Sequence, residues 1–212
     1  MSLTHKAFIL VLLNYWQIFT SKCTLGTDTR CCVPTNFRCK MDVTGGFLTN
    51  DGPHYVDSQM SLYFDYVTER TRTETAVTLP NGATFTHTEI ADFAKHKVLK
   101  VDGNHCVESH MNATIQEQCI SADATLMSSG YIGSPENPLN IQTWRYSIPG
   151  TDIVNYRMLT ETSPGNCIPV LQAEHGFLNG AYSSMAYTIS DVHLDDAPAA
   201  LFDSPPHICR KP

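Results

Sequence analysis

Eight cysteines, at Cys23, Cys31, Cys32, Cys39, Cys106, Cys119, Cys167 and Cys209, stand at or beyond the end of an apolar leader, and this feature narrows the possible folds most. The leader, "MSLTHKAFILVLLNYWQIFTSKC", is basic at His5 and Lys6, apolar from Ala7 to Phe19, and small or polar from Thr20 onward. That is the layout of a secretory signal peptide. The alternative is a membrane anchor, but a span needs about 20 apolar residues. This run is shorter and is broken by Asn14 and Gln17. Residues 1–23 are therefore read as the signal, with cleavage between 21 and 26, and 24–212 as one mature, soluble, extracellular domain. In an oxidising compartment cysteines become disulfides by default. A structural zinc site is the lesser possibility, because no C-x-x-C pair occurs. Eight cysteines allow 105 pairings, so spacing alone does not choose among them. If the signal removes Cys23, one of the remaining thiols is free or bridges to another chain.

Roughly 186 to 189 residues remain after cleavage, enough for one domain that buries about 70% of its unfolded surface. The bridges should reinforce a core rather than replace one. A formal charge of -7 without a Lys/Arg cluster argues against a nucleic-acid partner. Charged residues make up only 17% of the chain, and Ser and Thr are plentiful, which suits strands and turns better than amphipathic helices.

Turn signals punctuate the chain at Gly45-Gly46, Asn50 to Gly52, Asn81-Gly82, Asp102 to Asn104, Pro149-Gly150, Pro164-Gly165 and Asn179-Gly180. The segments between them are of strand length, which predicts an antiparallel all-β domain. Three segments alternate with a period of two, the period of a strand. Met60, Leu62, Phe64 and Tyr66 share one face of the first. Trp144, Tyr146 and Ile148 share a face of the second. Met185, Tyr187, Ile189 and Val192 share a face of the third, with a slip near Asp191. "HTEIADFAKHKVLKV" reads as a short helix or loop feeding a strand: Ile90, Phe93 and Lys97 suit a helical turn, and Val98, Leu99 and Val101 a strand.

Several stretches, in their order along the chain, resemble the ependymin-related family of secreted glycoproteins. They are "CVPTNF" (32–37), "LYFDYVTERTR", "VDGNHCVESHM", "CIPVL" (167–171) and "ISDVHLDDAPAALFDSPPHIC" at the C-terminus. The resemblance implies two antiparallel sheets curved into a half-open barrel around a deep apolar pocket, with few short helices. It implies the bridges Cys32–Cys167 and Cys106–Cys209, the second stapling a C-terminal tail stiffened by Pro205-Pro206. A third bridge, Cys39–Cys119, is a guess that spacing does not decide, and Cys31 is left to pair with Cys23 or between chains. The resemblance also implies a ligand pocket, for which the ten alternating residues named above from Met60 to Ile189 are the candidate lining. The alternation by itself is equally consistent with a solid sandwich core. A hydrophobic small molecule or lipid is the expected partner, and family members commonly form homodimers.

The remaining motifs are weaker. The sequon Asn112-Ala113-Thr114 predicts a glycan on an exposed loop. Calcium is the family's customary ion, and Asp191, Asp195 and Asp196, with Asp203 further on, are its candidate ligands, although they lack the spacing of an EF-hand loop. His87, His96, His105 and His110 read as solvated loop histidines, since they do not form H-E-x-x-H. No nucleophile motif or phosphate-cradling loop appears, so no enzyme is expected. The functional expectation is a secreted binder of a hydrophobic ligand, a lipid or fatty acyl chain, with calcium-dependent matrix association as a second property. The alternative is a matrix or adhesion component that binds calcium through an acidic, glycosylated surface and carries no ligand.

Overall fold

The computed structural model describes residues 30–78, 84–115, 118–148, 151–163, 165–178, 181–195, 197–203 and 209. Eleven strands follow one another: β1 (Asn36–Thr49), β2 (Gly52–Asp65), β3 (Arg70–Thr78), β4 (Thr84–Asp92), β5 (Lys97–Asp102), β6 (His105–His110), β7 (Thr125–Ser134), β8 (Asn137–Ser147), β9 (Val154–Ser163), β10 (Asn166–Leu178) and β11 (Ala181–His193). One short 3-10 turn, Ala199–Phe202, comes after them. The chain is all-β, as its turn signals and alternation predict. The order in the sheet is β6-β5-β4-β3-β2-β1-β11-β10-β9-β8-β7. Two meanders, β1 to β6 and β7 to β11, therefore meet where β1 pairs antiparallel with β11, from Arg38 opposite His193 to Leu48 opposite Tyr182. The expected two sheets of a half-open barrel are borne out in part, as two meanders. Both strands at the junction are long and hydrogen-bonded along their length, which leaves no seam, and the meanders form one continuous sheet.

That sheet curls. Edge strands β6 and β7 are consecutive in the chain, joined by residues 111–124. Ten interstrand steps of about 4.8 Å would put the edges of a flat sheet roughly 48 Å apart. Fourteen residues reach about 50 Å only when fully extended. This connection is not extended, because Ala124 N–H bonds back to Ser121 O at 3.1 Å. It also runs beside the N-terminal segment, where Val33 and Gln118 exchange bonds at 2.9 and 2.7 Å and Ile120 N–H donates to Cys31 O at 3.1 Å. The edges must therefore approach each other, and the connection straps the concave side of a half-open barrel.

Two hairpins share one turn design. Asp65 Oδ1 accepts from Thr68 N–H at 3.0 Å, and Glu69 takes φ 52°. Asp92 Oδ1 accepts from Lys95 N–H at 2.9 Å, and His96 takes φ 51°. An aspartate that bonds its own turn and a left-handed closing residue make a tight reversal. The helical reading of "HTEIADFAKHKVLKV" is thereby corrected: it is β4, a turn and β5. Asn50-Asp51 and Gly103-Asn104 also occupy reversals between paired strands. Asn81-Gly82, Pro149-Gly150, Pro164 and Asn179-Gly180 lie outside the described residues.

Gly45-Gly46, read as a turn, lies instead inside β1. Gly45 has φ +148°, and a Cβ there would lie 2.2 Å from Ser184 O on β11. Only glycine lets the two strands approach this closely at the junction of the meanders. Gly45→Ala should lower the unfolding free energy by more than about 1 kcal/mol, visible as a shifted urea midpoint at unchanged slope.

Three disulfides join described residues: Cys31–Cys167, Cys32–Cys119 and Cys106–Cys209. The expected Cys32–Cys167 pairing is off by one residue. Neighbouring side chains in an extended segment point to opposite sides, so Cys31 reaches β10 while Cys32 reaches the strap. The guessed Cys39–Cys119 bridge is also corrected. Cys39 alternates inward on β1 with Phe37 and Met41 and carries a free, buried thiol. Cys23, Pro205 and Pro206 lie outside the described residues. Cys106–Cys209 brings the end of the chain to the far face of β4 to β6, where Phe202 and Leu201 pack with Ile90 and Leu99. Arg72 Nη1 donates to Leu201 O at 2.7 Å, and Arg70 lies over the Phe202 ring, 4.9 Å from its centroid.

A candidate ligand pocket

On the inward face of the curled sheet, side chains of β1, β2 and β11 pack against one another as one buried apolar cluster. They border a cavity holding ≈ 1380 Å³ of space outside the atoms, part of it open to solvent. The floor is apolar. From β1 come Phe37, Cys39, Met41 and Val43, from β2 Val56, Met60, Leu62 and Phe64, and from β11 Met185 and Ile189. Phe37 and Phe64 stack at 4.9 Å, and Phe64 and Tyr66 at 5.3 Å. The walls on either side are polar. One carries Thr73 and Thr75 of β3 with His87 and Glu89 of β4. The other carries Asn155 and Arg157 of β9, Gln172 and Glu174 of β10, and Tyr187 of β11.

Of the ten residues predicted as lining, Met60, Leu62, Phe64, Tyr66, Ile148, Met185, Tyr187 and Ile189 line this cavity. Trp144 packs instead beside the Cys31–Cys167 bridge with Leu159 and Ile120. Tyr146 is buried on β8 directly across from Asn155, its ring centroid 5.7 Å from the Arg157 guanidinium carbon, and is not among the lining residues. Sequence reasoning missed the β1 residues, although Phe37, Cys39, Met41 and Val43 alternate with Arg38, Lys40 and Asp42 as clearly as any strand in the chain. It also missed the polar walls, because inward polar residues leave no apolar period to find.

Burial governs the electrostatics of the cavity. The Glu174 carboxyl is pushed up to about 7 by burial, against the Tyr187 hydroxyl that donates to it at 2.9 Å and the positive charge of Arg157. Glu89 is raised by burial, opposed by Lys100 and His87. The Cys39 thiol is pushed up to about 12 and the Tyr66 phenol well above its usual range, both chiefly by burial. A folded-state value of about 7 for Glu174, above its unfolded value near 4.3, means that the native state holds the extra proton between them. Its contribution to stability is then greatest at acid pH and is lost as pH rises from about 4.3 to 7. Glu174→Gln should flatten this fall, so that the variant gains on the parent in urea midpoint at pH 8 relative to pH 4.

The remaining predicted sites lie elsewhere. His87 is buried in β4, not solvated in a loop, and its Nδ1 lies 2.6 Å from Asp102 Oδ1. His96, His105 and His110 are exposed. Asp191 is 2.6 Å from Lys40 Nζ and Asp195 is 3.2 Å from Arg38 Nη2, while Asp196 lies outside the described residues. Asp203 is exposed beyond the 3-10 turn. Among the described residues no three His, Cys, Asp or Glu side chains stand together as a metal site. No helix among them is long and apolar enough to cross a membrane. Asn112 is exposed at the start of the strap, its Oδ1 2.8 Å from His110 Nε2.

A single curled antiparallel sheet around an amphipathic cavity, closed by a strap and disulfides, defines the class of this protein as a half-open β-barrel. More particularly, the chain belongs to the ependymin family, whose model, described as Ependymin, matches residues 81–209. No curated protein matches the chain. Among solved structures the fold is similar to that of an uncharacterized conserved protein from Thermus thermophilus. The two are 11% identical with a TM-score of 0.50, over 82% of this chain and 88% of that one.

Proposed function

We propose that this protein is a secreted, glycosylated binder of a hydrophobic ligand, a lipid or fatty acyl chain, which lies in the concave pocket of its sheet. The observation that carries the reading is the cavity itself. Its floor is built from β1, β2 and β11, the strands that would fill a solid sandwich, and they leave it open. Two of its side chains, Met60 and Met185, are unbranched thioethers that adapt to irregular apolar surfaces. Binding without turnover accounts for the site. Secretion fits three disulfides in one chain, and a glycan at Asn112 fits its exposure. A homodimer has a seat in β7, an edge strand exposed along its whole length and free of charged residues, as an unprotected edge is when another chain covers it.

The rival reading, calcium-dependent matrix adhesion through an acidic surface, draws on Asp191 and Asp195, which already face Lys40 and Arg38. Native mass spectrometry of the secreted chain after mild extraction separates the two. A co-purifying lipid supports the pocket. Calcium-dependent retention on matrix with no lipid bound overturns it.

A further inference from the structure

The two polar walls of the cavity differ in how far they satisfy themselves. On the wall from β9 to β11 the side chains bond one another. Arg157 Nη2 donates to Gln172 Oε1 at 3.3 Å, and the Tyr187 hydroxyl donates to Glu174 at 2.9 Å. The wall of β3 and β4 has no such closure. Glu89 and Thr73 stand directly across from each other, line the cavity, and are each 7% exposed. Among the described residues, the Glu89 carboxylate and the Thr73 hydroxyl have no hydrogen-bond partner. Lys100 Nζ, the ion-pair partner of Glu89, is 3.9 Å from Oε2 and out of hydrogen-bond reach. The neighbouring His87 is held by Asp102 instead, Nδ1 to Oδ1 at 2.6 Å. Neither the Glu89 oxygens nor the Thr73 hydroxyl is fully enclosed, so a ligand can reach them.

The chemistry of these two groups specifies the head that would fit them. A carboxylate only accepts hydrogen bonds, whereas a hydroxyl both donates and accepts. A ligand hydroxyl can therefore serve Glu89 and Thr73 alike. An anionic head would have to share Lys100 with Glu89, and Lys100 is not part of the lining. An ammonium head would meet the Lys100 charge and offer Thr73 no acceptor. A bare hydrocarbon end would strip both groups of water and return no bond. Burial already raises the Glu89 carboxyl, so that loss would be costly. Thr73 also stands directly across from Leu62 of β2, where the apolar floor begins. A head at Glu89 thus has room for its chain beside it.

This inference deepens the pocket reading and rests on it. We propose that the ligand is a lipid with an uncharged, hydroxyl-bearing head of the monoacylglycerol type, whose hydroxyls donate to Glu89 and accept from Thr73 while its acyl chain lies along β2 and β1.

The full secreted chain, stripped of lipid, is titrated at neutral pH with monoolein, with methyl oleate, which has the same acyl chain and no hydroxyl, and with oleic acid. Monoolein should bind at least tenfold more tightly than either. Each variant is read by its own ratio of monoolein to methyl oleate affinity, so a change in the pocket that weakens both ligands cancels. Glu89→Met keeps the length of the side chain without its acceptors and should bring that ratio below threefold. Should Glu89→Met fail to fold, Thr73→Val, which removes a single hydroxyl, carries the test and should lower the ratio by at least threefold. A parent ratio near one, oleic acid bound as tightly as monoolein, or a ratio unchanged in the variant that carries the test overturns this inference and leaves the pocket standing. If none of the three compounds binds, the pocket reading fails and takes this one with it.

Discussion

Replacing Cys31 and Cys167 together by alanine should remove about 2–5 kcal/mol of stability, out of the roughly 5–15 kcal/mol a domain has in total. The bridge spans 136 residues of sequence, the longest separation of the three. In the chain-entropy view, a loop on the order of 100 residues already restricts the unfolded chain by about 4.7 kcal/mol. Both cysteines are buried, with Ile120 and Leu159 around them, so the alanines also leave a void. Urea unfolding should show a lower midpoint, and secreted yield should fall with it. Cys39→Ala is the control. It removes one sulfur from the cavity floor and no cross-link, and should cost less than either. Peptide mapping without reduction should recover Cys31–Cys167, Cys32–Cys119 and Cys106–Cys209, with Cys39 alkylated only after unfolding. Recovery of Cys32 joined to Cys167 would sink this account of the N-terminal segment.

That one-residue difference marks the limit of what was legible. The fold class could be read because turn signals and period-two alternation follow from local backbone chemistry, and both are written in consecutive residues. Even the slip near Asp191 could be read. There the structure has Asp191 at φ 49° and a register shift opposite Arg38 to Lys40. The identity of a disulfide partner is a different kind of fact. It depends on which side of an extended segment faces which neighbour, and two adjacent cysteines differ by a half-turn that no spacing records. The union of the meanders into one sheet was hidden for a similar reason, since the β1 to β11 pairing joins residues more than a hundred positions apart. The cavity was half legible. Its apolar floor announces itself by alternation, whereas Asn155, Arg157, Gln172 and Glu174 look like ordinary outward residues of strands until the curl of the sheet turns them inward.

Whether that floor bounds a cavity or a core in solution is decided by a substitution that would harm one and fill the other. Met60 is half-buried on β2, directly across from Met41 of β1, and lines the cavity. Met60→Trp adds bulk to a side chain already facing the space. In a solid core the extra volume has nowhere to go, and overpacking costs about 1–3 kcal/mol. In the cavity the indole displaces the ligand instead of the backbone. It also buries apolar surface at roughly 25 cal/mol per Å². The expected result is a urea midpoint equal to or above that of the parent, together with at least a tenfold loss of affinity for a fluorescent fatty acid. A clear drop in stability with no change in binding would mean that the strands close on one another and that any ligand sits elsewhere.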